Sequence, residues 1–590
     1  MRRFAKMLWH FSCREKLFGL CLLPLLLVSF RGKMPDWAAV FYDHPYLAGV
    51  QADAPQALSA QGESELHAIV ESGSLPDLRW PNWPDYRVYV QKFYDSGGYA
   101  LAWVTKGMQA TPQALAIISV LQDADSKGLF AEDYDASRWA QRLAKFQQTN
   151  PPASESDAIH FDVALTVCVM RYVSDLHLGK INPHYFHFGL DIEGQNYDRA
   201  EFLRQRLVGA ENVKAILDGV EPPLHGYRRA QQALQRYLEL ARQDDGEKLS
   251  VPRTPVAPEQ AYPGVARLTR LLRLVGDLPP DAVVPENAHL YQGPLVDAVK
   301  HFQSRHGLAA DGRLDAQTIK ELNTPLSQRV RQLQLTLERW RWAPHGFSQP
   351  PVVVNIPEYR LRAFNEKGEL ALSMNVVVGK AYGYQTPIFA DEIRYVVFRP
   401  YWNVPPSIQR AEIVPELERD RSYLEKKGFE VITHSGHVIA SSPVSDEILQ
   451  KLRSEELEVR EKPGPRNSLG LVKLILPNSY DVYLHSTPEQ ELFSRSRRDF
   501  SHGCVRVEEP AQLAAWALRK NPGWSLKRVE NAMKTGKDND QVSLVQPIPV
   551  LIVYSTAIVT PEGEVHFYDD IYELDTRMEE ILAKGYPYPS

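Results

Sequence analysis

Cysteine is scarce in this chain, with four among 590 residues, at positions 13, 21, 168 and 504. So few thiols exclude a disulfide-stapled framework, and a chain of this length must rest on several buried apolar cores. Excess charge of one sign is missing too: the formal net charge is −6. That removes the electrostatic case for a nucleic-acid partner. No C-x-x-C or H-E-x-x-H spacing occurs, so no strong metal-ligand motif is present, and no cofactor is implied. Long apolar runs are absent with one exception, Leu17 to Phe30, which rules out a multi-span membrane protein. What remains, 44% hydrophobic and 24% charged residues, is ordinary for globular domains.

The exception is informative. Arg2, Arg3, Lys6, Arg14 and Lys16 precede the apolar run, and Arg31 and Lys33 follow it. A basic flank with about fourteen apolar residues suits an export signal and falls short of the roughly twenty of a spanning helix. No small-x-small site follows the run directly, and Ala38-Ala39 is a weak one. Residues 1–34 are therefore read as an uncleaved signal anchor in the inner membrane, with the rest of the chain in the periplasm. Cys13 and Cys21 fall in that segment. Cys168 shares a helical face with Phe161, Leu165, Tyr172 and Leu176, and reads as a small buried hydrophobe. Cys504 stands alone.

The body divides by composition and period. Residues 35–255 read as a helical scaffold, including helices over 158–178 and 230–242, and hold no catalytic constellation. Pro252, Pro255, Pro258 and Pro263 mark a boundary near 255. Residues 260–325 read as a compact helical module with helices at 265–275, 295–307 and 314–322. There Gly307 can end a helix, Asp311-Gly312 can turn tightly, and Phe302 and Leu308 would pack inward. A helix over 327–342 follows, in which Arg339-Trp340-Arg341-Trp342 suggests a solvated basic face with the aromatics turned in. Alternating or β-branched stretches at 351–356, 359–365, 370–378, 393–398, 471–476, 482–484 and 550–556 then predict a mostly β domain over 345–570. Glu366-Lys367-Gly368-Glu369 reads as a hairpin turn. The charged, partly helical segment 405–464 interrupts this domain as a lid or small subdomain. Its His434 and His437 read as surface residues. The fold class is multidomain α+β.

The chemistry concentrates in Tyr483-Leu484-His485-Ser486-Thr487-Pro488 and Phe500-Ser501-His502-Gly503-Cys504-Val505-Arg506. A thiol becomes a useful nucleophile as thiolate, which needs a basic or positive neighbour and some exposure. His485 and His502 are both candidates. Gly503 lets backbone approach a substrate closely, and N–H groups around Gly503 and Cys504 can face an oxyanion. Two alternatives stand beside this: a zinc site from His485, His502 and Cys504, and an inert buried cysteine.

An upstream histidine followed by Ser-His-Gly-Cys-Val-Arg resembles the signature of the YkuD-type L,D-transpeptidases. The order of anchor, helical scaffold, peptidoglycan-binding module and catalytic domain with a capping insertion resembles their large YcbB-like subgroup. So do Tyr401-Trp402-Asn403-Val404-Pro405-Pro406 and Leu476-Pro477-Asn478-Ser479-Tyr480, while Ala298 to Gln303 with His306-Gly307-Leu308 and Asp311-Gly312 resembles the common three-helix peptidoglycan-binding domain. The resemblance implies that Cys504 attacks a donor tetrapeptide stem between its third residue and the terminal D-alanine. His485 would be the base, held in its tautomer by the Ser486 carbonyl. Gly503 and Cys504 N–H groups, with Tyr483, would form the oxyanion hole. A second stem's amine would resolve the thioester as a 3-3 cross-link, and carbapenems would acylate the same thiol. Water or a lipoprotein lysine as acceptor, or an inactive wall-binding scaffold, are the alternatives. Ser501 and His502 would shape the loop or bind substrate, and Trp402 would line the cleft or fill the core. Arg506 would take a stem carboxylate or make an internal salt bridge. Implied partners are peptidoglycan, a carboxypeptidase that trims pentapeptides, and glycan-polymerising synthases.

Overall fold

The computed structural model describes residues 58–588 apart from 149–151, 193–196, 286–288, 345, 348 and 441–442. The expected anchor, with Cys13 and Cys21, lies outside the described residues. Among the described residues, no helix is long and apolar enough to cross a membrane.

The N-terminal region is helical around one long central helix, α1 (Glu155–Leu178). A reciprocal pair, Ser154 with Asp157, satisfies its first N–H groups, and its side chains are buried on almost every face. Cys168 is fully buried there as a free thiol, so it acts as an apolar filler. Helix α2 (His225–Gln243) closes this region and packs on a later helix.

Three helices, α3 (Val265–Val275), α4 (Pro294–Arg305) and α5 (Ala316–Leu322), make the next module, with a short ribbon of β1 (Gln260–Ala261) and β2 (Leu290–Tyr291). Phe302 is buried in its core as expected, whereas Leu308 is only half-buried. The Asp311-Gly312 turn is fastened by one side chain. Gln303 Nε2 donates to the Arg313 carbonyl at 2.9 Å, and Gln303 Oε1 accepts the Gly312 N–H at 2.8 Å.

Helix α6 (Leu326–Trp342) overturns the solvated-face expectation. Arg339 and Arg341 are buried, together with Trp342. Arg339 pairs with Asp575 at 2.5 Å; Arg341 pairs with Glu338 at 3.2 Å and donates to the Lys127 carbonyl at 2.6 Å. Alternating Arg and Trp reads as amphipathic only if one side of the helix meets water. Here elements from 127 to 575 surround it, and ion pairing makes the burial of the cations tolerable.

The mostly β expectation holds as a closed sheet. Strands β3 (Val352–Asn355), β4 (Arg360–Phe364), β5 (Leu370–Gly379) and β6 (Phe389–Phe398) come first. The turn between β4 and β5 falls where expected, with the Asn365 side chain accepting the N–H groups of Lys367 and Glu369. The segment after β6 is a folded subdomain. Its β7 (Trp402–Asn403), β8 (Phe429–Ile432), β9 (Val438–Ala440) and β10 (Glu458–Glu461) form a separate sheet in the order β7-β10-β8-β9. It has its own core around Leu417, Val431, Leu452 and Val459.

The main sheet resumes with β11 (Val472–Ile475), β12 (Tyr483–His485), β13 (Asp499–Ser501), β14 (Val505–Val507) and β15 (Asp540–Val553). Its order is β13-β5-β14-β12-β11-β6-β15-β3-β4, and an added β4–β5 pairing closes it into a barrel. Val472, Leu474, Leu484, Val505 and Val507 point into the barrel core. Because strand residues alternate faces, Lys473, Tyr483, His485 and Arg506 point outward. Beyond β15, the hairpin of β16 (Ala557–Val559) and β17 (Val565–Phe567) joins the cluster of α2 and α6 rather than the barrel.

Candidate active site

Strands β12 and β14 run parallel, with Leu484 opposite Val505 and His485 opposite Arg506. That register sets Cys504, one residue before β14, level with Tyr483. The nineteen-residue stretch 486–504 (counting both ends) leaves β12, pairs along the end of β5 as β13, and returns the thiol to the outer barrel face. At its tip Gly503 has φ +113°, a conformation that side-chain-bearing residues rarely adopt. The loop is held by hydroxyls. Ser501 Oγ donates to the Cys504 carbonyl at 2.6 Å and accepts the Gly503 N–H at 3.1 Å, while Thr386 Oγ1 donates to the Gly503 carbonyl at 2.7 Å.

Cys504 is half-buried, and its thiol donates to the Asp481 carbonyl at 3.6 Å. Burial pushes its pKa up from the ordinary thiol value, while the Tyr483 N–H and hydroxyl and the Lys473 charge pull it back. The Tyr483 hydroxyl is in turn hydrogen-bonded by Trp402 from the root of the cap, and burial beside Cys504 lifts the phenol pKa far up.

His485 is almost fully buried. Its Nδ1 lies 2.5 Å from the Ser486 carbonyl. A carbonyl oxygen only accepts, so Nδ1 carries the proton and in the neutral ring Nε2 holds the lone pair; the Leu469 carbonyl also faces the ring and, like that of Ser486, favours its protonated form. Burial, followed by the Arg506 charge, lowers its pKa to about 3, so the ring is neutral at ordinary pH. Ser486 itself is placed by Gly470. A Cβ at 470 would come within 2.9 Å of the Ser486 backbone carbon, and Gly470 also has φ +62°.

The other expected residues are arranged differently. His502 Nε2 is 2.8 Å from Glu412 of the cap, and its ring meets Tyr384 edge-on. With His485 on the Ser486 carbonyl and His502 on Glu412, the three groups of the zinc alternative do not share a centre. Among the described residues, no group of three His, Cys, Asp or Glu side chains gathers to hold a metal. Arg506 forms the internal ion pair, with Glu489, although its buried Nε has no hydrogen-bond partner. The Gly503 N–H, expected to be an oxyanion donor, is engaged by Ser501 Oγ. Trp402 is half-buried and tilted against Phe429 of the cap core. His434 pairs with Glu458 on the cap surface, as an exposed residue would.

Residues 350–536 match the family model described as the L,D-transpeptidase catalytic domain, YkuD. This barrel is a YkuD-type L,D-transpeptidase catalytic domain. Residues 262–322 match "Putative peptidoglycan binding domain", and residues 88–234 match "Scaffold domain". A relative from Haemophilus influenzae (strain ATCC 51907 / DSM 11121 / KW20 / Rd), named "Putative L,D-transpeptidase", is 30% identical over 302 residues. The match covers 50% of this chain and 59% of the relative's length.

In the L,D-transpeptidase domain, sequence reasoning missed Lys473, Gly470, Asp481, Thr386, Glu412 and Glu489. Only Lys473 left a signal. It is the charged residue in an otherwise apolar stretch, Leu471 to Leu476. Its nearness to Cys504 depends on strand register, which the sequence does not display.

Proposed function

We propose that this chain is a peptidoglycan L,D-transpeptidase that forms 3-3 cross-links through a Cys504 thioester. The observation that supports the reading is one outward face of the barrel, where the Tyr483 hydroxyl hydrogen-bonds the Cys504 sulfur and a neutral His485, two residues along the same strand as Tyr483, holds its Nδ1 proton on the Ser486 carbonyl. As Sγ bonds to the donor carbonyl carbon, the thiol proton passes to His485 Nε2 and the carbonyl oxygen takes the negative charge. Tyr483 hydroxyl and the Cys504 N–H are the donors for that oxyanion, since the Gly503 N–H is engaged by Ser501. On collapse the carbon–nitrogen bond breaks, and D-alanine leaves with the proton from His485. The side-chain amine of a second stem then attacks the thioester and gives its proton to His485; as the carbon–sulfur bond breaks, His485 returns that proton to the Cys504 sulfur, restoring the thiol.

The module at 262–322 supports peptidoglycan as the partner. Action in the periplasm, attachment by residues 1–34 and cooperation with a stem-trimming carboxypeptidase and glycan-polymerising synthases belong to the same proposal. Ser501 holds the loop, and Trp402 steadies the Tyr483 hydroxyl. Arg506 is best placed as a neighbour of His485 that keeps the ring uncharged.

The test is intact-protein mass spectrometry with a carbapenem, alongside incubation with purified tetrapeptide muropeptides. Wild type is expected to gain one covalent adduct and to yield dimers, and Cys504→Ala to do neither. Dimers from Cys504→Ala would overturn the reading. Tripeptide as the sole wild-type product would reassign the acceptor to water.

A further inference from the structure

Among the described residues, the Lys473 ammonium faces no carboxylate counter-ion. In the β11–β12 register it lies opposite His485, on the outward face, and its Nζ sits 5.5 Å from the Tyr483 ring centroid. Its side chain is half-buried, and among the described residues no carboxylate or hydrogen-bond acceptor pairs with it. A sheltered ammonium without a partner is costly, because it gives up water and gains no opposite charge. Its pKa is lowered by that burial, and the one group that raises it is Cys504.

The other charges facing the thiol are accounted for. From β14, Arg506 is paired with Glu489; from the loop before it, His502 is paired with Glu412 of the cap. Asp481, before β12, adds a negative charge that disfavours a thiolate. His485, on β12, is neutral and offers a lone pair in place of a positive charge. Tyr483 contributes hydrogen bonds alone.

We propose that Lys473 is the electrostatic partner of the nucleophile: its ammonium is the counter-ion of the Cys504 thiolate, and His485 serves as a neutral proton acceptor. Histidine then moves the proton and lysine holds the charge. This rests on Cys504 being the nucleophile, which carbapenem labelling of the wild type tests separately.

The experiment measures iodoacetamide alkylation of Cys504 in the full-length protein from pH 5.5 to 10.5. The Cys504 peptide is read by mass spectrometry in wild type, Lys473→Arg and Lys473→Gln. Lys473→Gln is expected to move the inflection up by at least about one pH unit, which slows alkylation about tenfold at pH 7. Above its new inflection the Gln variant should regain the wild-type rate, which a merely damaged site would not. Lys473→Arg should keep the inflection within about half a unit of wild type, because the charge is retained. An unshifted inflection in Lys473→Gln would overturn the proposal. So would equal slowing at every pH, or a Lys473→Arg inflection displaced as far as that of the Gln variant.

Discussion

At the scale of single residues, the proposed mechanism depends on a histidine that burial keeps uncharged. His485 is buried between Lys473 and Arg506, and its pKa is held near 3 against about 6.5 in an unfolded chain. Between those values the unfolded chain takes up a proton that the folded one refuses. The histidine therefore favours folding least at low pH: stability present above about 6.5 is lost as pH falls toward 3. At pH 5 the loss relative to pH 7 is about 2 kcal/mol. His485→Gln removes the titration. Urea unfolding of wild type and variant, followed at pH 7 and pH 5, should show the gap move in the variant's favour by about that amount on acidification. A gap that stays constant would mean that the folded protein holds an imidazolium there. Cys504 and His485 stand out as candidates in the sequence because a short motif carries them, and a motif can be read without a fold. Lys473 does not. Its proposed role depends on β11 pairing with β12 so that residues 473 and 485 fall opposite each other.

At the scale of elements, the cap is a domain inserted in a hairpin. Strands β6 and β11 pair directly, with Phe398 opposite Val472, so the barrel is continuous without the insertion. Inside the cap, Asn403 lies opposite Arg460, which allows residues 404–459 to be replaced by a two-residue Asn-Gly turn. The shortened protein retains Trp402 but loses Glu412 and the cap core. It should fold with its barrel intact by circular dichroism and keep Cys504 open to alkylation. Its product ratio from tetrapeptide stems should shift from dimer toward tripeptide as water gains access; an unchanged ratio would end any gating role for the cap. The same insertion shows where reading by period succeeds and fails. Long elements with one dominant environment, such as α1, α6 and β5, were visible. The interruption at 405–464 was visible too, but its sheet was not, because β7 has two residues and β9 three. Strand β15 begins ten residues before the apolar stretch at 550, since its first half carries polar residues at half-exposed positions. The helices 510–517 and 526–535 inside the β region were missed, and they pack on each other beside the barrel.

At the scale of the molecule, the regions are bound by buried polar contacts as much as by apolar ones. Phe186 and Phe188 of the helical region join the barrel core, and Arg305 of the three-helix module donates to the Val565 carbonyl at 3.2 Å. The segment 584–588 returns to the helical region. There the Tyr588 hydroxyl donates to Asp133 at 2.9 Å, beside a Lys180–Asp133 ion pair of 2.5 Å, and Tyr586 and Tyr134 both donate to Asp175. Burial raises the Asp175 pKa to about 7, and the Tyr586 hydroxyl is one of the groups that restrain it. A carboxyl with a raised folded-state value binds its proton in the fold at pH values where the unfolded chain has released it. Its contribution is thus greatest below about pH 4 and declines as pH rises toward 7. Tyr586→Phe removes a donor to a buried carboxylate, at a cost of about 1–3 kcal/mol. It also raises the Asp175 pKa further, so the deficit should grow with pH. Thermal unfolding of wild type and Tyr586→Phe should therefore differ more at pH 8 than at pH 5. An equal difference at the two pH values would show that Asp175 is ionised in the fold of both proteins, with Lys180 rather than the tyrosines governing its charge.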